Sequence, residues 1–226
     1  MRLELNAFPD TTQLDHALAE RIATALAAGI ASNGRAALAV SGGRTPGGFF
    51  RALSQHTLDW SRIIVTLADE RCVAESDPAS NARSVREHLL QGPAASAQFL
   101  PLHLPGESTE ELLERLGTIP AQFDAVILGM GDDAHTASIF PDSPQRDAAL
   151  SASAPAALAV EGKAPVRERI TLSAQRLLAT RLLCLHITGL AKWQVLGETL
   201  AESSPERPIS FFLHNRNTPA HVFWTP

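Results

Sequence analysis

The stretch FDAVILGMGDDAHTASIFP, residues 123–141, decides how this chain is read. It opens on a short, mostly apolar run and then breaks into two glycines, two adjacent acids and a histidine within seven positions. A buried strand that ends in a glycine-bearing polar loop is what an open α/β sheet presents at a ligand site, because ligands there sit beyond the carboxyl ends of the strands. Three chemistries compete for the loop: a dinucleotide-binding glycine turn, a metal site built from Asp132, Asp133 and His135, and a hydrolytic base.

Working outward, the same rhythm recurs. Leu14, Leu18, Ile22, Leu26 and Ile30 repeat every four residues, the spacing of one helical face, and Asn33-Gly34 ends that helix. RAALAV (35–40) reads as a strand running into SGGRTPGG (41–48), after which FFRALSQ (49–55) resumes a helical pattern. WSRIIVTLA (60–68) is a strand ending in DER, NARSVREHLLQG (81–92) a helix and QFLPLHL (98–104) a further strand. ESTEELLERLG (107–117) is a helix with acids in its first turn, where the helix dipole favours them. Beyond a Pro- and Ala-rich stretch at 141–157, ERITLS and RLLCLHITG read as strands separated by the short helix AQRLLAT, and LAKWQVLGETLAES is a further helix. Apolar, non-alternating strands alternating with helices predict an α/β fold of three layers, α/β/α, with a Rossmann-like, mostly parallel sheet covered on both faces. The Pro/Ala stretch is expected to be a surface loop within one domain spanning residues 1–226, a length commonly held by one domain.

Composition narrows the function. An apolar fraction of 45% and a charged fraction of 19% are those of an ordinary globular chain, and no stretch approaches the ~18 apolar residues of a membrane span. A formal charge of -5 without any Lys/Arg run argues against a nucleic-acid surface. Cys72 and Cys184 match no metal or redox spacing and read as reduced thiols, which points to a cytoplasmic setting. The expected partner is therefore a small molecule, with neither nucleic acid nor membrane involved.

Polar residues directly after strands fall at four places: Ser41 to Pro46, Asp69 to Arg71, Gly129 to His135, and Gly189 with Lys192. SGGRTP places hydroxyls and Cβ-free backbone ahead of a helix, which suits an anion; the Lys of a nucleotide P-loop is missing, so a monophosphate fits better. Lys192 and Arg169 could add cations to it. Gly129, Gly131 and Ala134 satisfy the dinucleotide pattern, but Asp132 and Asp133 stand where a pyrophosphate needs neutral donors, and Pro141 and Pro144 interrupt the helix that should follow. For a metal, adjacent acids in an extended loop point apart, leaving one carboxylate and one imidazole, an incomplete set. Asp133 and His135, two apart, would share one side of an extended loop, and a carboxylate beside an imidazole makes a base that works near neutral pH.

Taken together, SGGRTP, LADERCV with SNARSVREHLL, ILGMGDDAHTASIFP, ERITLS and ITGLAKWQVL resemble, in order, the motifs of the 6-phosphogluconolactonase family, within the superfamily that includes glucosamine-6-phosphate deaminase. The resemblance implies a sugar-phosphate isomerase/deaminase-like fold and hydrolysis of 6-phosphogluconolactone in the pentose phosphate pathway, with no metal and no organic cofactor. It implies His135 as general base with Asp133 beside it, Arg71 near the lactone, and Ser41, Gly42, Gly43, Thr45, Arg169 and Lys192 around the phosphate. A monomer or small homo-oligomer is expected. The family's Gly between Asp and His is Ala134 here, so an αR or extended turn is expected there, or slight strain. Two other readings stay in view. The deaminases resemble HIAFNEP, with a carboxylate before the proline, where this chain has Phe140, and they carry D-E-Y where it has Arg71. A sugar-phosphate-sensing effector domain would not need the His/Asp pair and would carry a DNA-binding segment.

Overall fold

The computed structural model describes residues 3–43 and 45–226, so Arg44 of the SGGRTP motif lies outside the described residues. In chain order the elements are β1 (Leu3–Ala7), α1 (Thr11–Asn33), β2 (Ala36–Val40), α2 (Gly47–Ser54), β3 (Ile63–Leu67), β4 (Asp69–Arg71), α3 (Asn81–His88), β5 (Gln98–Leu100) and α4 (Thr109–Leu116). They continue as β6 (Ala125–Leu128), α5 (Arg146–Leu150), β7 (Ala157–Glu161), β8 (Glu168–Leu172), α6 (Ala174–Leu178), β9 (Leu183–Thr188), α7 (Leu190–Thr199), α8 (Ile209–Leu213) and β10 (Ala220–Thr225).

Seven strands form one parallel sheet in the order β1-β10-β9-β6-β2-β3-β5. β2, β3 and β6 are buried at every position, as strands covered on both faces must be. From β2 the chain steps outward through β3 to β5; from β6 it steps the other way through β9 to β10. Because parallel crossovers are right-handed, these opposite directions put the intervening helices on opposite faces. Accordingly α1 packs on α2 and α2 on α3, while α6 and α7 both pack on α8. The reversal falls between the paired strands β2 and β6, and their carboxyl ends open the crevice in which such sheets bind ligands.

Local chemistry sets the helix ends. Asp10 caps α1 by accepting from the Gln13 amide, and Gly34, at φ 73°, closes it in the left-handed conformation that Asn33-Gly34 foreshadowed. α4 begins with a reciprocal capping box between Ser108 and Glu111. QFLPLHL is a strand only as far as Leu100, since Pro101 has no N–H with which to continue the ladder.

Two sequence expectations are corrected. DER and ERITLS do not belong to the parallel sheet: β4, β8 and β7 form a separate antiparallel sheet in the order β4-β8-β7. The 141–157 stretch is not all loop, for it contains α5 and runs into β7. The two termini also carry strands, β1 and β10, which pair along the edge of the main sheet. Among the described residues no helix is long and apolar enough to cross a membrane.

Candidate active site

The loop after β6 is tied to itself and to its surroundings. Gly131 N–H donates to the His135 carbonyl at 2.9 Å, Ala134 N–H to the Gly131 carbonyl at 3.0 Å, and Thr136 Oγ1 to the Gly129 carbonyl at 2.8 Å. The turn is not extended: Ala134 sits at φ 63° and Ala137 at φ 48°, both in the left-handed region. The backbone strain expected of an alanine in place of glycine is therefore present, and such strain is held only where the surroundings over-determine it.

This curl still joins the expected pair, by a different route from the one read in the sequence. Asp133 Oδ1 lies 2.5 Å from His135 Nδ1. With Nδ1–H donating to the carboxylate, Nε2 is left as the proton acceptor. Gly131 makes the arrangement possible, since a Cβ there would stand 2.0 Å from His135 Nδ1 and 2.7 Å from Asp133 Oδ1. The Phe140 ring backs the imidazole, with centroids 4.3 Å apart and planes inclined by 30°. Burial alone would raise the Asp133 pKa, but hydrogen bonds from His135 and Lys163 outweigh it and hold the carboxyl well below the usual range. Asp132 is exposed.

The cationic end comes from the small sheet. Arg71 on β4 and Arg169 on β8 are directly opposed in the antiparallel register. Like charges so placed repel, and the repulsion is relieved when an anion lies between or before them. Burial and the neighbouring Arg71 both lower the Arg169 pKa. Arg71 is held by Nη1 donating to the Ala79 carbonyl at 2.8 Å and to Asn81 Oδ1 at 2.7 Å, while its Nε is buried without a partner. Asn81 in turn donates to the Asp69 carbonyl at 2.8 Å, and Asp69 Oδ2 accepts from Ser138 Oγ at 2.5 Å, tying β4 to the loop that carries His135. The buried Glu70 carboxylate accepts from the Asn81 and Ala82 amides at 2.8 and 2.7 Å, anchoring the start of α3.

Ser41, Gly42, Gly43 and Thr45 lie on one cleft with Arg71, His135, Arg169 and Lys192, about 420 Å³ in volume. Asp133 stands behind His135. Lys192 reaches the cleft from the first turn of α7 and donates to the Met130 carbonyl at 2.6 Å. Gly42 is required by packing, since a Cβ there would lie 2.0 Å from Asn81 Oδ1. A larger groove of about 690 Å³ adjoins the cleft and shares Gly43, Arg71, Asn81 and Arg169, but neither His135 nor Lys192 reaches it. The chemistry therefore assigns the smaller cleft as the site, at a volume ordinary for small ligands. The sequence reading gave no individual role to Asn81 or Asp69, though both lie in motifs it quoted, and it passed over the buried cleft-lining His186 and Lys163. Asp69, as a neighbour of Arg71, and Asn81, in SNARSVREHLL, carried a local signal; His186 and Lys163 are brought in by distant elements.

Fold and cleft together define an α/β protein built to hold a small anionic ligand against a carboxylate-supported imidazole. The model of the family described as glucosamine-6-phosphate isomerases/6-phosphogluconolactonase matches residues 9–224, and the chain belongs to that family. It is 38% identical to a 6-phosphogluconolactonase of Rhizobium meliloti, with 100% of each chain covered. It is 42% identical to one of Mesorhizobium japonicum, over 98% of this chain and 94% of the other. The crystal structure of a 6-phosphogluconolactonase from Shewanella baltica superposes with a TM-score of 0.95 at 39% identity, covering 99% and 98% of the two chains. A monomeric glucosamine-6-phosphate deaminase shares the fold, with a TM-score of 0.77 at 19% identity.

Proposed function

We propose that the chain hydrolyses 6-phospho-D-glucono-1,5-lactone to 6-phospho-D-gluconate, the second step of the oxidative pentose phosphate pathway, in the cytoplasm and as one domain over residues 1–226. The observation that carries the reading is that the Asp133–His135 pair and the Arg71, Arg169 and Lys192 cations serve one cleft. Ser41, Gly42, Gly43, Thr45, Arg169 and Lys192 hold the phosphate and present the lactone carbon to His135. His135 Nε2 takes a proton from water, and the water oxygen attacks the carbonyl carbon. Arg71 offsets the charge that develops on the carbonyl oxygen. Collapse of the tetrahedral intermediate breaks the ring C–O bond, and the imidazolium returns its proton to the departing ring oxygen. A lactone is an activated ester, so base catalysis of about 10²- to 10⁴-fold together with positioning suffices without a covalent nucleophile.

Phe140 weighs against deamination. A phenyl ring packed on His135 supplies no second acid/base for moving protons between oxygen and carbon. His135→Ala is expected to lower turnover of freshly prepared lactone, followed against its spontaneous opening, far more than it weakens binding of 6-phosphogluconate. Equal losses in the two would remove His135 from the role of base. A wild-type chain that binds phosphogluconate tightly yet leaves the spontaneous rate unchanged would be a sensor.

A further inference from the structure

Lys163 lies outside the residues that line the cleft, yet its ammonium donates to Asp133 Oδ2, the carboxylate oxygen that His135 does not use. It stands on the turn joining β7 to β8, which closes with Gly162 N–H donating to the Arg167 carbonyl at 2.7 Å. Gly162 brings this turn flush against the site, for a Cβ there would stand 2.5 Å from Arg169 Nε and 3.0 Å from Phe140 Cε2. Lys163 Nζ also lies 5.9 Å from the Phe140 ring centroid, and the Arg169 guanidinium carbon 5.4 Å from it. One hairpin thus carries both the phosphate-facing arginine and the cation that grips the carboxylate behind the base.

We infer that Lys163 is a positioning residue for lactone hydrolysis: it fixes the Asp133 carboxylate against His135 and shares its charge, so that the imidazole is oriented without being overcharged. The inference rests on the reading of His135 as the base. A carboxylate that faced the imidazole alone would make it hold its proton to higher pH, leaving less free base at neutrality. A carboxylate shared with an ammonium keeps the hydrogen bond to Nδ1 and exerts a weaker field. The other charged groups on the packed elements are Asp142, 4.0 Å from Lys163, Arg169 across the Phe140 ring, the neighbouring exposed Asp132, and Arg167, which is paired with Glu161 at 3.0 Å. None of them reaches the second carboxylate oxygen as Lys163 does.

The test compares wild type, Lys163→Met and Lys163→Arg in two measurements. In the first, kcat and KM are followed against pH. Because Lys163 is half exposed, the expected effect of the Met variant is modest: the acidic limb moves to higher pH by about half a unit, the upper range for a screened ion pair, with KM unchanged. The Arg variant restores the wild-type limb. In the second, the His135 ring resonance, assigned by its loss in His135→Gln, is titrated by NMR without substrate and is expected to move the same way. Coincident limbs and coincident titrations in wild type and the Met variant overturn the inference, as does a raised KM with an unmoved limb, which would make Lys163 a substrate contact. If the titration shifts in a chain that hydrolyses no lactone, the proposed activity fails while the coupling of Lys163 to His135 stands.

Discussion

Adding one methyl group at Gly131 tests the catalytic arrangement directly. The new Cβ would lie 2.0 Å from His135 Nδ1, 2.1 Å from its Cε1 and 2.7 Å from Asp133 Oδ1. Ordinary contact requires about 3.5 Å or more, so the imidazole must retreat by roughly 1.5 Å. It has little room, with Phe140 at 4.3 Å behind it and its own carbonyl pinned by the Gly131 amide. Gly131 lies outside the left-handed region, so alanine incurs no backbone penalty and the effect is steric alone. A displacement of ~1 Å at a reacting group can cost about 10²-fold. Loss of an aligned base costs about 10²- to 10⁴-fold, or roughly 3 to 5 kcal/mol of barrier. Gly131→Ala is therefore expected to lower kcat within that range while KM for the lactone changes by less than roughly threefold, because the phosphate end is untouched. The matched control is Gly129→Ala, where an added Cβ meets nothing within 4 Å and the pair should stay in register. Initial rates on fresh lactone measure kcat and KM, and calorimetry with 6-phosphogluconate measures binding. A Gly131→Ala enzyme turning over within roughly threefold of wild type would refute the Asp133–His135 pair as the working base.

Two further substitutions probe the scaffold. Asn81→Ala strips partners from Arg71 and from the Asp69 carbonyl in a buried setting, so urea unfolding should show a loss of about 1 to 3 kcal/mol together with a raised KM; unchanged stability would show that this network holds nothing. His186 is buried on β9, where burial, seconded by the charge of Lys192, lowers its pKa to about 4. Since its folded value lies below the ordinary 6.5, the unfolded chain binds the proton more tightly, and the stability from keeping the ring neutral is present above pH 6.5 and lost as the pH falls toward 4. That loss amounts to ~3 kcal/mol, which His186→Gln should remove from the difference between urea midpoints at pH 7 and pH 4; an identical pH dependence in the variant would contradict it.

Much of this protein is legible locally. Apolar runs such as IIVTL and AVIL read as strands covered on both sides, and glycine, hydroxyl and charged residues directly after them mark the ligand end of an α/β sheet. The end of α1 was legible for the same reason, because Gly34 acts within a few residues of itself. Periodicity could not show that DER and ERITLS leave the main sheet, nor that the two chain ends pair along its edge, because strand partners are chosen by hydrogen bonds between segments far apart in sequence. Nor could it show why Gly42, Gly131 and Gly162 are glycines. Each makes room for a particular side chain, Asn81, His135 and Arg169.

By itself the sequence determined the fold class and the residue types that converge at the strand ends, because burial and loop chemistry are encoded within short windows. Only the tertiary structure decided that Arg71 faces Arg169, that Asn81 holds Arg71, and that Lys163 reaches Asp133 across thirty residues of chain. Those choices rest on ångström-scale clearances and shared charges between distant elements, which no local pattern records.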